Sequence, residues 1–309
     1  MTFDLVGVGN PVYDIIESPV AKTRGRVLSG CSTNACLAAR KLGMSKVGLI
    51  GAVGKDYLDT FLSDMKRYGI ATELNATSPE TGGFRLIYDT SGDRTLEVLG
   101  VAQRITSKNI PENFLDAKYV LLGPILGEVD LELVQFLKSS SNCKLFLDPQ
   151  GLVRVVQENG KVIHNCDRNS FRKVAELVDF IKPNEPESQT ITRAKDPIDA
   201  LRHLRGFGTP VCMITLAERG SLVLENSEFY RIPAYRTNAV DPTGAGDVYA
   251  GAFLVNYSGA RNLVDSALFA SAAASIMVEQ IGPDFQMAVE NVMKRKDLIR
   301  GRVLAERFA

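Results

Sequence analysis

The sequence predicts an α/β fold with a mostly parallel central sheet, and three observations carry that expectation. Short apolar runs alternate with longer stretches of helical spacing along the whole chain, the pattern of strands and helices stacked in layers. The 309 residues are 45% hydrophobic and 23% charged, the balance of an ordinary folded protein and not of a disordered one. No repeat, low-complexity tract or linker divides them, so one domain over 1–309 is the simplest organisation.

In chain order, buried strands are predicted at 3–8, 46–50, 119–122, 144–147, 178–182 and 211–215, each a short apolar run. Helical spacing occupies 33–42, 56–68, 131–138, 199–205 and, after the last of these strands, 246–257. Residues 83–99 break the alternation. There two strand-like stretches flank the turn-rich Thr90, Ser91, Gly92 and Asp93, a β-hairpin signal without an adjoining helix. Such an insertion is either a decorative edge or a cover over a site.

Charge excludes several functions. The 36 Lys and Arg balance 36 Asp and Glu, which argues against bulk nucleic acid or an anionic membrane as partner. Two His leave little material for a His-rich metal site. Five cysteines (Cys31, Cys36, Cys143, Cys166 and Cys212) form no CxxC pair and read as reduced thiols of a cytoplasmic protein. The first residues do not resemble a signal peptide, and no apolar run reaches the roughly 18 residues of a membrane span.

The strongest local signal runs from Ala239 to Leu254. Gly244, Ala245 and Gly246 let the backbone turn tightly and point several N–H groups one way, and a helix begins at Asp247. Glycines at a helix N-terminus make a site for a phosphate or a developing negative charge. Asp247 has an ordinary reading as a carboxylate that caps free amides. It has a functional one as a general base, taking a proton from a hydroxyl beside that anion site. The surrounding Asp241, Thr243, Gly244, Gly246, Asp247, Gly251 and Ala252 decide between them, because together they resemble the C-terminal signature of the PfkB/ribokinase family of carbohydrate and nucleoside kinases.

The resemblance runs nearly end to end. Gly30, Asn34 and the helix ending at Leu42 and Gly43 are similar to the family's glycine-rich sugar-site motif, with Ser29 and Cys36 departing from it. Asp14 falls where the family places a carboxylate that binds substrate hydroxyls, and Gly51 to Asp56 looks like the family's turn after the next strand. Asn184 and Glu187 resemble its Asn-x-x-Glu element, tied to Mg2+ and phosphates through water; alone, they would read as a helix start with a capping-box spacing. Thr215 and Gly220 match a nucleotide loop in which Ala217 replaces the usual first glycine. Asp148 and Arg154 resemble a segment near the phosphates in some members, from which Gln150 departs. The run from Ser271 to Ser275 would pack closely and wall an adenine pocket, with Gly282 in a nearby loop.

The resemblance implies a ribokinase-like three-layer fold with a small β lid formed by about 11–29 and 81–103, and a homodimer through that lid. It implies an ATP-dependent kinase acting on a primary hydroxyl of a sugar or nucleoside. Asp247 would be the base and Gly244, Ala245 and Gly246 the anion hole. Asp14, Gly30 and Asn34 would hold substrate, and Asn184, Thr215, Gly220 and Ser275 the nucleotide. Glu187 would serve Mg2+, and Asp241 and Thr243 a K+ ion. A short first lid segment and the small Cys31 leave room for a nucleoside.

Other classes fit less well. A dinucleotide fingerprint after Gly7 and Gly9 needs a glycine where Val12 stands. A P-loop ending at Gly54 and Lys55 would need glycine at Leu49 and a hydroxyl at Asp56. A non-catalytic sugar- or nucleoside-binding protein on the same fold has no need of a carboxylate beside an anion hole.

Overall fold

The computed structural model describes residues 2–89, 94–225 and 227–307, and of residues 75–77 the backbone only. The expected turn at Thr90 to Asp93 lies outside the described residues. The first strands are β1 (Leu5–Val8), β2 (Val12–Glu17), β3 (Val27–Ser29), β4 (Val47–Gly54), β5 (Ala71–Ser78), β6 (Gly83–Tyr88), β7 (Arg94–Gly100) and β8 (Tyr119–Leu122). The others are β9 (Lys144–Leu147), β10 (Arg154–Val156), β11 (Val162–His164), β12 (Phe180–Ile181), β13 (Val211–Thr215), β14 (Ser221–Glu225), β15 (Glu228–Ile232) and β16 (Leu304–Arg307).

Ten strands form one sheet in the order β16-β15-β14-β13-β12-β9-β8-β1-β4-β5. From β13 to β5 every neighbouring pair is parallel. Parallel strands are covered on both faces, which is why Leu5–Val8 and Tyr119–Leu122 are buried at every position. One layer of helices (Cys31–Lys41, Leu58–Tyr68, Ala245–Ala260, Leu263–Met277 and Val289–Arg300) packs on one face through Leu37, Phe61, Phe253 and Leu268. The opposite face is covered through Phe114, Leu133, Phe171 and Leu201 of the helices Glu112–Leu115, Leu131–Ser140, Arg168–Ala175 and Pro197–Gly206. The helix Ala245–Ala260 lies so close to Cys31–Lys41 that a Cβ at Gly251 would stand 2.3 Å from the Ala35 carbonyl oxygen.

Three sequence expectations need correction. The strand starting near Lys46 does not turn at Gly51 but runs on to Gly54; glycine is needed at 51 because a Cβ there would meet Pro11 Cδ at 2.5 Å. The strand expected at 178–182 shortens to Phe180–Ile181. After Thr215 the chain turns back twice, adding β14 and β15 antiparallel to the sheet, and β16 closes that edge.

A second, four-stranded sheet, ordered β3-β2-β6-β7, stands over the carboxyl ends of the parallel strands. Its β2 and β6 pair in parallel although about 70 residues apart, and β6 and β7 are the expected hairpin strands. Val12, Ile16, Phe84, Leu86 and Leu96 pack beneath it with Ile125. The small hairpin β10–β11, absent from the sequence expectation, joins it along β7: the Val98 amide donates to Gly160 O at 3.3 Å, and Val162 packs on the same apolar cluster.

Candidate active site

Between the two sheets lies one cleft of about 2140 Å³. A single small ligand occupies roughly 300–1,000 Å³, so the cleft has room for two side by side. It sits where the carboxyl ends of parallel strands ordinarily bind ligands: Asp148 follows β9, Asn184 follows β12 and Thr215 ends β13.

Asp247 is at the centre. Gly244 adopts a left-handed conformation (φ 80°) that swings the chain into the helix Ala245–Ala260, and no side chain caps that helix. Asp247 does not turn back onto the amides, as a capping residue would. Instead one oxygen accepts from Asn34 Nδ2 at 3.0 Å and the other from Gln150 Nε2 at 3.2 Å. Asn34, expected to hold substrate, is thus used on Asp247 and is not among the residues lining the cleft, whereas Asp14 and Gly30 are.

A cation missed in the sequence lies beside the glycine turn. Lys182 Nζ is 3.2 Å from where a Gly246 Cβ would stand, and it forms a 2.8 Å ion pair with Asp148, both side chains 3% exposed. Burial pushes the Asp148 carboxyl upward; the Lys182 charge opposes this, and nearby Asp247 reinforces it. Burial likewise raises Glu187, helped by the Asp148 charge and opposed by Lys182. The Asp148 and Asp247 carboxylates and Cys31 Sγ converge within 4.8 Å of one another. A lysine at the end of a predicted strand, two residues before Asn184, was the available signal.

Asn184 and Glu187 show both readings of their spacing at once. They cap each other, with the Glu187 amide donating to Asn184 Oδ1 at 2.9 Å and the Asn184 amide to Glu187 Oε2 at 2.9 Å, and both line the cleft. Thr215 and Gly220 line it as well. Gly220 has φ 90° and could carry no Cβ, which would fall 2.0 Å from Ile232 O, while Ala217 holds a left-handed φ of 51° without being glycine. The Ser275 hydroxyl accepts from Arg295 at 3.0 Å and donates to Ala272 O at 2.6 Å, so it faces the cleft already paired. Arg295 also pairs with Glu279 and lies over the Tyr235 ring.

Asp241 is fully buried. Oδ1 accepts from the Thr243 amide at 2.8 Å, and Oδ2 has no partner. An orphaned buried carboxylate oxygen is the donor a cation would take. The small sheet reaches this loop through a 2.9 Å hydrogen bond between the Tyr88 and Thr243 hydroxyls, and it supplies Arg94 to the cleft wall. At the other end Asp14 accepts from the Phe84 amide of β6 at 2.8 Å.

Comparison with known proteins agrees with this geometry. Residues 16–289 match the model of the pfkB family carbohydrate kinases. A cytidine kinase of Thermococcus kodakarensis is 33% identical over 84% of this chain and 90% of its own. A ribokinase of Lactococcus lactis is 25% identical over 96% of this chain and 94% of its own. The solved structure of a pyrophosphate-dependent kinase of the ribokinase family superposes with a TM-score of 0.80 at 22% identity, over 94% of this chain and 99% of that one, so the fold is ribokinase-like as expected. A match that spans nearly the whole chain, together with relatives named as kinases, establishes that the protein belongs to the pfkB family of carbohydrate kinases and is a phosphotransferase acting on hydroxyl groups of a sugar or nucleoside.

Proposed function

We propose that the chain transfers the γ-phosphoryl group of ATP to a primary hydroxyl of a nucleoside, with Asp247 as general base. The observation that carries this reading is the orientation of Asp247, whose oxygens are held by two side-chain amides while the helix amides beside it lack a side-chain cap. A carboxylate that only capped would use those amides itself. The arrangement therefore supports a base and an anion site standing next to each other. A nucleoside is favoured over a free sugar by the size of the cleft, by the small Cys31 at its floor, and by the 33%-identical relative, which is a cytidine kinase.

In this mechanism Asp14 and Gly30 hold the sugar hydroxyls so that the primary alcohol points at Asp247. Asp247 takes the alcohol proton as the oxygen attacks phosphorus. The uncapped amides, Lys182 Nζ and the Arg94 guanidinium offset the charge on the transferring group. The small sheet acts as the lid, excluding water that would otherwise accept the phosphoryl group.

Magnesium bound with the nucleotide would neutralise charge between the phosphates. Glu187 and Asp148 offer buried carboxylates on that side, Glu187 through water because its oxygens already accept from Asn184. Asp241 Oδ2 and Thr243 fit a monovalent cation that shapes the loop. Phosphorylation of a panel of nucleosides and sugars by the wild type and by Asp247→Asn tests the reading. The variant should lose at least about 10²-fold in kcat, since it retains the anion site without the base. Full turnover by the variant would refute the assignment.

A further inference from the structure

The acceptor end of the cleft contains a buried guanidinium that the mechanism above does not use. Arg154, at the root of the β10–β11 hairpin, is 9% exposed and lines the cleft. Its Nε is buried without a hydrogen-bond partner, and its Nη1 has only a long 3.4 Å contact with Ile125 O. Arg85, Arg219 and Arg295 are paired with carboxylates; Arg154 is in no ion pair among the described residues. Leaving such donors unsatisfied in the interior is costly, so they point to a ligand acceptor atom.

The surroundings narrow the ligand. The guanidinium lies over the Phe84 ring, 5.7 Å from its centroid, and Phe84 is the residue whose amide binds Asp14. Leu86, Leu96, Ile125 and Val162 complete the wall. This wall of the slot is hydrocarbon, with Arg154 at its edge and Arg94, whose charge reaches Arg154, nearby. A polyhydroxylated sugar acid would leave its hydroxyls against hydrocarbon, whereas a flat heterocycle has polar atoms only at its edge. The slot adjoins Asp14, so the first base atom within reach is one next to the glycosidic bond. In pyrimidines that atom belongs to a carbonyl group; in purines it does not.

We infer that Arg154 selects the acceptor, donating to the carbonyl oxygen beside the glycosidic bond of a pyrimidine nucleoside whose base fills this slot. The inference rests on the nucleoside-kinase reading and adds to it both the base class and the residue that reads it. Arg154 is a specificity residue in this scheme, and proton transfer and phosphate contacts belong to Asp247, Lys182 and Arg94.

The test is steady-state kinetics of the wild type, Arg154→Lys and Arg154→Gln with cytidine, uridine, 2-thiocytidine, adenosine, ribose and a 2-keto sugar acid. The wild type should give its highest kcat/KM with cytidine or uridine. Arg154→Lys keeps the charge but loses the fork, and should raise KM for cytidine roughly 10- to 100-fold, the worth of one charge-assisted hydrogen bond. Its kcat should stay within about threefold and its KM for ATP should be unchanged, which also reports a folded donor site. Replacing the carbonyl oxygen by sulfur should weaken binding to the wild type and cost neither variant anything further. An unchanged KM for cytidine in both variants would overturn the inference while leaving the kinase reading intact. So would an equal fall in kcat with every acceptor, or a wild-type preference for adenosine or for the sugar acid. Phosphorylation of ribose and of no nucleoside would refute both readings.

Discussion

Asp14 should make the protein less stable as its substrate site becomes competent. Its carboxyl is 3% exposed, and burial pushes it up to about 6 from an ordinary 3.8, against the opposing effects of Ser29, the Phe84 amide and the charges of Arg154 and Arg94. A carboxyl whose folded value lies above its unfolded one binds its proton more tightly when folded. The resulting stabilisation is full below about 3.8 and is lost as pH rises through about 6. At 1.36 kcal/mol per pH unit, the gap between 3.8 and about 6 amounts to about 3 kcal/mol. Asparagine can accept the same Phe84 hydrogen bond without ever becoming charged. Urea unfolding of the wild type and of Asp14→Asn between pH 4 and 7 isolates this carboxyl from every other titrating group. Because about a fifth of the effect is already lost at pH 4, the difference should move by about 2.4 kcal/mol in favour of the variant as pH rises to 7. Over the same interval KM for the acceptor should fall in the wild type, because the ionised carboxylate binds hydroxyls better, and should stay flat and high in the variant. A pH-independent stability difference, or one of opposite sign, would show that burial does not dominate the titration of Asp14.

Lys182→Met strands Asp148 beside Asp247 and Glu187, and should cost about 3–5 kcal/mol in unfolding free energy together with about 10²-fold in kcat; adding Asp148→Asn should restore most of the stability and little of the rate. Ala217→Gly removes a side chain from a left-handed position and should raise stability by about 0.5–1 kcal/mol, read as a shift in urea midpoint with activity retained. Exchanging potassium for tetramethylammonium should lower wild-type kcat several-fold, about 1 kcal/mol of barrier, while Asp241→Asn should already be low in potassium and insensitive to the exchange.

Strands such as Tyr119–Leu122 and Lys144–Leu147, the latter after its exposed Lys144, were legible because burial on both faces leaves an apolar run. The glycine turn before Asp247 was legible because its conformation demands particular residues. What escaped notice depends on partners distant in sequence. Lys182 as a letter is an ordinary strand-end lysine, and only the fold brings it against Asp148, 34 residues earlier, and Gly246, 64 residues later. Asn34 was expected to hold substrate, and nothing local says that its amide meets a carboxylate 213 positions away. The β10–β11 hairpin was missed because its strands are three residues long and take their support from β7 rather than from each other's length. Ser275 was read from a motif, and the Arg295 that pairs with it lies on the later helix Val289–Arg300.

The close approach of Gly251 to Ala35 has a consequence for the protein's birth. The helix that follows Gly30 is sandwiched by a helix encoded more than 200 residues later, so on the ribosome it emerges without its packing partner. At about 5–20 residues per second, that partner is on the order of 10–40 seconds away. Throughout that wait the small, apolar face of Cys31–Lys41 is a surface for chaperones or for other nascent chains. Substitutions that enlarge Gly251 or Ala35 should therefore lower the yield of soluble protein more than they lower the specific activity of the molecules that do fold.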